Sequence, residues 1–283
     1  MALKIKVEDR ISTYPGRVKL TPVSGETNVY DLTRADVPIN EGTPINKLLF
    51  DSKSDVVVED ATLYVATTGS DVVGNGTMDS PFATIQFAID QIPKNLGGHT
   101  VTVDVAAGTY NERVSLVGFS GGKLVLGVSG RSTTIRGLAI VDCSFIETNI
   151  RNIILLNDFT QQPLLADGGS NVVIGSHLSI NGNNVSVSGI TATNGSRVSA
   201  ITGTTVGISF CYGAAAMADM CSMISFDTIS GTDNVVGVSA VRGGIVTYNK
   251  NSMTNMWGNN AASGGLVLTG NNSSELSGAT LDF

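Results

Sequence analysis

Apolar and polar residues alternate in short runs along most of this chain. The clearest run is Thr-Val-Thr-Val-Asp-Val at residues 100–105, where every second residue is valine. A period of two places successive side chains on opposite sides of a strand. The run therefore predicts a strand with one buried face. Similar short runs, separated by glycine and asparagine, continue through the rest of the chain.

One stretch ahead of that strand has helical periodicity instead. Ser80 fits an N-cap position and Pro81 a first helical position, and Pro93 with the pair Gly97-Gly98 ends the pattern. The apolar residues that recur at helical spacing are Phe82, Ile85, Ile89 and Ile92. The pattern predicts one amphipathic helix over about 81–92. We expect this helix to cover the open hydrophobic end of a stack of strands.

The later apolar clusters recur about every 20 residues. Their anchors are Val185, Val206, Ile224, Ile245 and Leu266, at separations of 21, 18, 21 and 21, and Ile153 and Val172 are 19 apart. Such a period predicts coils of three short strands each, starting at about residue 100. Eight or nine coils, about 4.8 Å apart, would form a rod on the order of 40 Å long. The expected corners of the coils are Asn181-Gly182, Asn194-Gly195, Gly231 and Gly243-Gly244.

Two other structures are compatible with parts of this pattern. A β-sandwich would have strands every 8–12 residues, joined by hairpins. A disordered tract rich in glycine, serine and asparagine is the other, although regularly spaced valine and isoleucine clusters disfavour it.

The segment 61–116 contains YVATTGSD, GNGT, SPFATIQFAID and GGHTVTVDVAAGTYNERV in that order. This order resembles the opening of pectate-lyase-like right-handed parallel β-helix proteins, including phage tail fibres and tailspikes and, more distantly, pectin methylesterases. The resemblance covers residues 61–128 well. It implies an all-β fold, a right-handed single-stranded parallel β-helix capped by one N-terminal amphipathic helix.

Charge divides the chain into two predicted domains. Eighteen of the 41 charged residues lie in the first 60 positions, whereas residues 124–283 carry only 15. Residues 1–60 are predicted to form a small module with a hairpin, from strands at 17–20 and 28–32, and a brief helix near Pro44. This module resembles N-terminal regions of phage tail and baseplate-associated proteins, which implies docking to the particle. Residues 61–283 are the predicted β-helix domain.

Composition also bears on partners and location. A net charge of −7 and a pI near 4.8 give no basic surface for nucleic acid. The charged N-terminus MALKIKVEDR is unlike a signal peptide, and the apolar segment 213–226 is too short to span a membrane and contains Asp219. Cys143, Cys211 and Cys221 form no CxxC pair and predict buried free thiols in a reducing cytosol.

The acidic residues are the candidates for chemistry. Those of the repetitive region are Asp142, Glu147, Asp158, Asp167, Asp219, Asp227 and Asp233. A glycosidase needs two carboxyls about 5–10 Å apart, and Asp142 with Glu147, or Asp158 with Asp167, would supply them if neighbouring coils brought them together. A lyase would need clustered acids and a base, for which Arg136 and Arg151 are the nearest cations. We interpret these acids as corner and ladder residues.

Two motifs that suggest chemistry are interpreted as structural. GTYNERV, residues 108–114, is similar to an early element of pectin methylesterases, but Asp158-Phe159 is followed by Thr-Gln-Gln-Pro, which breaks that family's later DFxFG motif. The loop 70–76 lacks the glutamate of an EF-hand and the lysine of a P-loop, so we predict a tight turn. No catalytic, cofactor-binding or metal-binding residue is predicted.

The pattern and the resemblance together favour a non-enzymatic structural appendage of a phage particle, in its tail or baseplate region, assembled in the host cytoplasm. The expected partners are other virion proteins through residues 1–60, two further copies in a homotrimer, and a host-surface glycan. Tyr212, Tyr248 and Trp257 are the aromatic candidates for sugar contact. The alternatives are a polysaccharide-degrading tailspike and a cellular β-helical adhesin.

Overall fold

The structure, a computed structural model, divides the chain into two compact units, Met1–Lys53 and Ser54–Phe283. It describes four strands of the first unit. In the second it describes residues 56–269, except 128–131, 144–145, 152, 157–160, 186, 255 and 257. Residues 56–60 belong to the second unit, where the backbone N–H of Val57 donates to the carbonyl of Asn95 at 2.9 Å.

The first unit contains the predicted hairpin. Strand β2 (Val18–Pro22) pairs antiparallel with β3 (Tyr30–Arg34), and β1 (Ile11–Ser12) pairs antiparallel with β4 (Pro38–Asn40). The helix predicted near Pro44 lies outside the described residues. The proposed docking role of this module stays a prediction.

The second unit is a β-solenoid. Its strands are β5 (Ala61–Val65), β6 (Thr100–Val105), β7 (Gly108–Thr109), β8 (Arg113–Val117), β9 (Gly122–Leu126), β10 (Thr133–Ile135), β11 (Gly137–Val141), β12 (Ile146–Ile150), β13 (Ile153–Leu156), β14 (Leu164–Asp167), β15 (Asn171–Ile174), β16 (Leu178–Val185), β17 (Ile190–Ala192), β18 (Arg197–Ala200), β19 (Thr205–Cys211), β20 (Ala214–Ala218), β21 (Met223–Thr232), β22 (Val236–Val241), β23 (Ile245–Thr254), β24 (Asn260–Ala262) and β25 (Leu266–Thr269).

Each coil of the solenoid has three faces. Face 1 stacks β5, β6, β9, β12, β15, β18, the first parts of β21 and β23, and β25. Face 2 stacks β7, β10, β13, β16, β19 and the second parts of β21 and β23. Face 3 stacks β8, β11, β14, β17, β20, β22 and β24.

All strand pairs within these three stacks are parallel, which confirms the parallel β-helix and excludes the hairpin-linked β-sandwich for this part of the chain. The seven strands of face 3 span about six turns, fewer than the eight or nine coils expected. Face 1 has nine strands, because β5 precedes the first full coil and β25 follows the last. At about 4.8 Å per step, those nine strands extend for roughly 40 Å.

The predicted repeat of about 20 residues is too short for most coils. Equivalent positions are 26 apart where Leu164 pairs with Ile190 and 21 apart where Ile245 pairs with Leu266. The prediction erred because apolar clusters on different faces were counted as one series. Val206 lies on face 2, next to Leu178 and Ile229, whereas Ile224 lies on face 1.

The helix is shorter than predicted and begins later. It is α1 (Ile85–Asp90), and its N-cap is Thr84 rather than Ser80. Pro81 and Phe82 are not helical, because their backbone groups bond to an earlier segment of the same chain. Phe82 exchanges hydrogen bonds with Tyr64 and Ala66, and the Pro81 carbonyl accepts from the Ser70 N–H. The predicted apolar side is confirmed, since Phe82, Ile85, Ile89 and Ile92 are all buried.

Alternation of side chains produces the core of the solenoid. On β6, Val101, Val103 and Val105 are buried between more exposed residues. On face 3 the inward positions change along the stack from Leu138 and Ile140 to Ala216 and Ala218. Leu138, Ile140, Ala216 and Ala218 are all 0% exposed, so each contributes to the hydrophobic stabilisation of the core.

The corners between face 3 and face 1 are stacked tight turns. In five successive corners both central residues have positive φ: Gly168-Gly169, Asn194-Gly195, Met220-Cys221, Arg242-Gly243 and Ser263-Gly264. Asn194-Gly195 and Gly243 thus lie at corners, as predicted. Two other predicted corners, Asn181-Gly182 and Gly231, do not lie at these turns, because they fall inside β16 and β21 respectively.

A ladder of buried serines supports the same corners. The backbone N–H groups of Cys143, Ser170 and Ser196 each donate, at 3.1 Å, to the Oγ of the serine in the following coil, which is Ser170, Ser196 and Ser222 in turn. Each hydroxyl accepts from a buried corner amide of the preceding coil, and the Ser170 and Ser196 N–H groups also donate to the carbonyls of Asp167 and Thr193, at 3.3 and 3.2 Å.

Candidate functional site

A shallow groove of about 480 Å³ lies on the outer side of face 1, in its N-terminal part. It is lined by Thr62, Tyr64, Thr100, Thr102, Asp104, Lys123, Val125, Gly127 and Arg151. These residues come from β5, β6 and β9 and from the segments that directly follow β9 and β12.

Strand register assembles the groove from residues far apart in sequence. Tyr64 pairs with Asp104 between β5 and β6. Gly127 and Arg151 follow in the next two coils, with the Arg151 N–H donating to the Leu126 carbonyl at 3.0 Å. Gly127 has a φ of +79°, and a Cβ there would lie 2.3 Å from the Arg151 carbonyl oxygen. Glycine is therefore needed here because the backbone of the following coil approaches closely at Arg151.

The charges around the groove are balanced. Lys123 on β9 forms an ion pair with Glu147 on β12, with Nζ and Oε1 2.6 Å apart. Asp104 and Arg151 provide one further charge of each sign. The remaining polar groups are threonine hydroxyls and the Tyr64 phenol. A surface of this kind can donate and accept hydrogen bonds and offer a ring face, which suits a polyhydroxylated ligand.

The predicted pair Asp142 and Glu147 does not form a two-carboxyl site on neighbouring coils. Asp142 and Glu147 belong to the same coil, Asp142 at the corner that leads into β12, so the expectation that they meet on neighbouring coils is wrong. Asp158 lies outside the described residues. Asp142 instead stacks on Asp167, with its N–H donating to the Asp167 carbonyl at 3.2 Å.

Three of the acids stabilise corners, as the interpretation of corner residues predicts. Asp167 Oδ1 accepts from the Gly168 N–H at 2.7 Å and from Asn194 Nδ2 at 2.6 Å. Asp219 accepts from the Met220 N–H at 2.8 Å and from both Nε and Nη2 of Arg242, the Nε bond measuring 2.6 Å. Asp233 has positive φ and accepts from the Thr232 hydroxyl at 3.1 Å.

The electrostatics of two of these acids oppose a general-acid role. Hydrogen bonds from Arg242 hold the pKa of Asp219 below its ordinary value. Hydrogen bonds from Asn249 and from the Gly203 N–H lower the pKa of Asp227. A glycosidase general acid needs a raised pKa, so neither carboxyl is tuned for that task. Arg136, a candidate lyase base, donates to Asn111 Oδ1 at 2.6 Å.

The loop 70–76 forms a tight turn that supports the helix. Asp71 accepts from the N–H groups of Ala83 and Thr84, at 2.8 and 3.1 Å, and from the Thr84 hydroxyl at 2.7 Å. Glu112 of the GTYNERV motif accepts from the N–H groups of Ile85 and Gln86, at 2.8 and 2.9 Å. Both carboxylates therefore satisfy the free amides at the start of α1. Sequence reasoning placed Glu112 in the first turn of the fold without identifying this role.

The cysteines are all free, but they differ in exposure. Burial raises the pKa of the Cys143 thiol and raises the pKa of Cys211 to about 12. Cys221 is exposed, contrary to the prediction of buried thiols, because it occupies the second central position of a corner turn. In the described part of the chain, no group of three or more His, Cys, Asp or Glu residues is placed to hold a metal ion.

The predicted sugar-binding aromatics are dispersed. Tyr212 is 52% exposed, whereas Tyr248 is 6% exposed and its hydroxyl accepts from Asn259 Nδ2 at 2.7 Å. Trp257 lies outside the described residues. Tyr64 is the aromatic residue of the groove, and sequence reasoning missed it because only register brings it beside Asp104.

The segment 213–226 forms parts of two solenoid strands, β20 and β21. Among the described helical residues, none belongs to a helix long and apolar enough to cross a membrane.

Comparisons of this chain with protein-family models, with curated proteins and with solved structures find no match. The chemistry of the groove and the architecture of the solenoid are therefore the basis for a functional proposal.

Proposed function

We propose that this chain is a non-enzymatic structural appendage of a phage particle, in its tail or baseplate region. The N-terminal module docks to other virion proteins, and the β-solenoid projects from it as a homotrimeric rod. One observation carries the proposal: the second unit is a continuous stack of parallel strands, with nine strands on face 1. The resemblance of residues 61–128 to phage fibre and tailspike β-helices supports the viral assignment.

A stack of this kind is suited to a mechanical task. Each coil is hydrogen-bonded to the coils before and after it, so the backbone pairs run along the whole stack. The serine ladder and the stacked turns fix the corners. Such a rod resists bending and holds whatever binds it at a fixed distance from the particle.

Deletion of residues 1–53 tests the docking role. The cut is made there because Asp60 accepts from the Thr100 N–H at 2.8 Å and Val57 bonds to Asn95, so residues 56–60 support the solenoid. We expect the shortened protein to fold, with an unchanged far-ultraviolet circular dichroism signal per strand residue, but to be missing from assembled particles. Normal incorporation of the shortened chain would refute docking through this unit.

The groove on face 1 is the proposed contact site for a host-surface glycan. Replacing Tyr64 with alanine should weaken binding of purified surface polysaccharide by about 2- to 13-fold, since one ring contact contributes about 0.5–1.5 kcal/mol. Tyr212→Ala is the matched control, because Tyr212 is exposed and does not line the groove. Equal loss in both variants would contradict a site at the groove.

The groove also supports a second candidate function, which is polysaccharide degradation by a tailspike. Asp104 on β6 is the carboxylate that lines it, and Glu147 lies two coils further on, on β12, paired with Lys123. Incubation with purified capsular or cell-wall polysaccharide distinguishes the two functions. New reducing ends or unsaturated sugars that disappear in Asp104→Asn would favour the enzyme, and binding without cleavage favours the adhesive rod.

A further inference from the structure

The groove on face 1 combines apolar and hydroxylated groups in one surface. Val125 lines it and is only 6% exposed, and register places it next to Thr102. Thr62 and the half-buried Tyr64 come from β5, on the other side of Thr102. A sugar ring has a matching division, since its C–H groups form an apolar side and its hydroxyls project around the rim. Val125 and the Tyr64 ring can therefore contact the apolar side while the threonine hydroxyls bond to the rim.

The lysine of the groove has a carboxylate partner within the chain. Lys123 Nζ lies 2.6 Å from Glu147 Oε1, and register pairs the two residues on neighbouring coils. A third charge further away meets so close a pair as a dipole, because the attraction to one member and the repulsion from the other largely cancel. A carboxylate on a bound sugar would therefore gain little from Lys123 while Glu147 is present.

Two further carboxylates lie at the groove. Asp104 is one of its lining residues. Asp60 borders it, since Asp60 Oδ1 accepts from the N–H of Thr100, a lining residue, at 2.8 Å. The same oxygen is 3.5 Å from His99 Nδ1. Carboxylates are therefore present on β6 and in the segment that leads into β5, as well as at Glu147.

The charges that line or border the groove include no positive excess. The carboxylates are Asp60, Asp104 and Glu147, and the lysine and arginine are Lys123 and Arg151. At longer range the net charge of −7 on the chain repels a polyanion. An acidic polysaccharide would have to give up hydration of its carboxylates in a region without a surplus of positive charge. A neutral polysaccharide avoids this cost.

We propose that the groove selects neutral polysaccharide segments over acidic ones. Val125, Tyr64 and the threonine hydroxyls contact the sugar, and the carboxylates disfavour sugars that carry a carboxylate of their own. The ion pair between Lys123 and Glu147 determines this specificity, because Glu147 offsets a cation that lines the groove. This inference rests on the glycan contact of the proposed function and names the class of glycan.

Binding of two forms of one polysaccharide to the full chain tests the inference. The forms are an acidic capsular polysaccharide and the same polymer after carboxyl reduction, which converts each uronate into a neutral hexose. We expect the wild-type protein to bind the reduced form at least about fivefold more tightly, the factor that corresponds to repulsion between two unit charges about 4 Å apart in water. Equal or tighter binding of the acidic form would overturn the inference and leave glycan contact intact.

Glu147→Gln removes the carboxylate that opposes Lys123. The variant should bind the acidic form about fivefold more tightly than wild type does, and the reduced form within about twofold of wild type. Asp227→Asn is the matched control, because it makes the same change of charge on face 1 three coils beyond Arg151. That separation is about 14 Å, more than the screening length of about 8 Å at physiological ionic strength. No gain in Glu147→Gln, or an equal gain in both variants, would overturn the inference.

Failure of glycan contact itself would give a different result. If the wild-type protein bound neither form of any polysaccharide tested, the glycan site of the proposed function would be refuted, and this inference with it. Tyr64→Ala separates the two claims further, since it should weaken binding of the reduced form. Thermal melting checks that each variant folds. A preference for the reduced form at full affinity in folded Tyr64→Ala would place the binding outside the groove and overturn both claims.

Discussion

At the scale of single residues, the corner turns contain the least favourable backbone of the solenoid. Both central positions of each turn need positive φ, which glycine and asparagine adopt easily. Met220 and Cys221 occupy them with φ values of 48° and 60°. Their side chains gain little from the arrangement, since Met220 is 39% exposed and Cys221 is exposed. This corner is held in place by the coils on either side.

Replacing Met220-Cys221 with Asn-Gly, the pair found at residues 194–195, should stabilise the protein. Relief of left-handed strain at two positions is expected to raise the free energy of unfolding by about 1–2 kcal/mol. Urea denaturation measures the change. The reverse control is Gly195→Ala, where a Cβ would meet nothing within 4 Å. It should cost about 1 kcal/mol from the backbone alone, and no loss there would contradict the strain argument.

Asp219 should make stability depend on acid pH. Its pKa in the folded protein is lowered by Arg242, so its contribution is fully present above the unfolded pKa of about 4. The contribution is lost as the pH falls through the lowered folded pKa. Asp219→Asn cannot titrate, so the variant should be less stable than wild type at pH 7 and the difference should shrink towards pH 2. Urea denaturation at pH 7, 4 and 2 measures this, and a constant difference would contradict it.

At the scale of elements, close approach of neighbouring coils fixes where glycine is required. Gly231 lies inside β21 with a φ of 148°, and a Cβ there would be 1.7 Å from the Ile208 carbonyl oxygen of the preceding coil. The two backbones would have to separate to admit any side chain. The glycine therefore permits close pairing of β19 and β21 at the end of the face 2 part of β21.

Gly231→Ala should lower the free energy of unfolding by at least about 3 kcal/mol, because it breaks the ladder between β19 and β21. Gly207→Ala is the matched control. Gly207 lies on the same face in β19, and its Cβ would meet the nearest atom at an ordinary 3.7 Å. That variant should differ from wild type by less than about 0.5 kcal/mol. Chemical denaturation compares the two, and equal effects would show that the contact with Ile208 is not decisive.

The sequence predicts an element well when the residues that determine it are close together in the chain, and poorly when they are far apart. The alternation at 100–105 is local, and the strand forms as predicted. The predicted helix start was wrong because the backbone of Phe82 bonds to Tyr64 of β5 and that of Pro81 bonds to Ser70, contacts that no capping pattern reveals. The groove was missed for a related reason, since Tyr64 and Arg151 come to line one groove only through the register of four neighbouring strands, β5, β6, β9 and β12. Met220-Cys221 carries no glycine or asparagine to indicate a turn.

At the scale of the whole molecule, the solenoid is a one-dimensional stack in which each coil is stabilised by its neighbours. The central coils have a paired coil on both sides, such as β14, which pairs with β11 and β17. In the described residues, β24 pairs on one side, with β22. At the other end α1 packs against β5, β6 and β8. Local stability should therefore be greatest in the middle.

Amide hydrogen exchange should follow this gradient. We expect the amides of Leu164–Asp167 and Ile190–Ala192 to exchange at least about tenfold more slowly than those of Asn260–Ala262, because opening a central coil breaks two ladders. Mass spectrometry of peptic fragments measures the rates under native conditions. Uniform protection from end to end would indicate that the solenoid opens only as a single unit.

The coil spacing has a consequence for how such a rod changes length. Coils of 26 residues, as from Leu164 to Ile190, return the chain to the same face and the same corner. Duplicating or deleting one whole coil would shift everything beyond it by about 4.8 Å with the same orientation. A partial coil would rotate every later face and expose the core. The length of the solenoid can therefore change only in steps of one whole coil. The groove and the surfaces beyond the change keep their orientation.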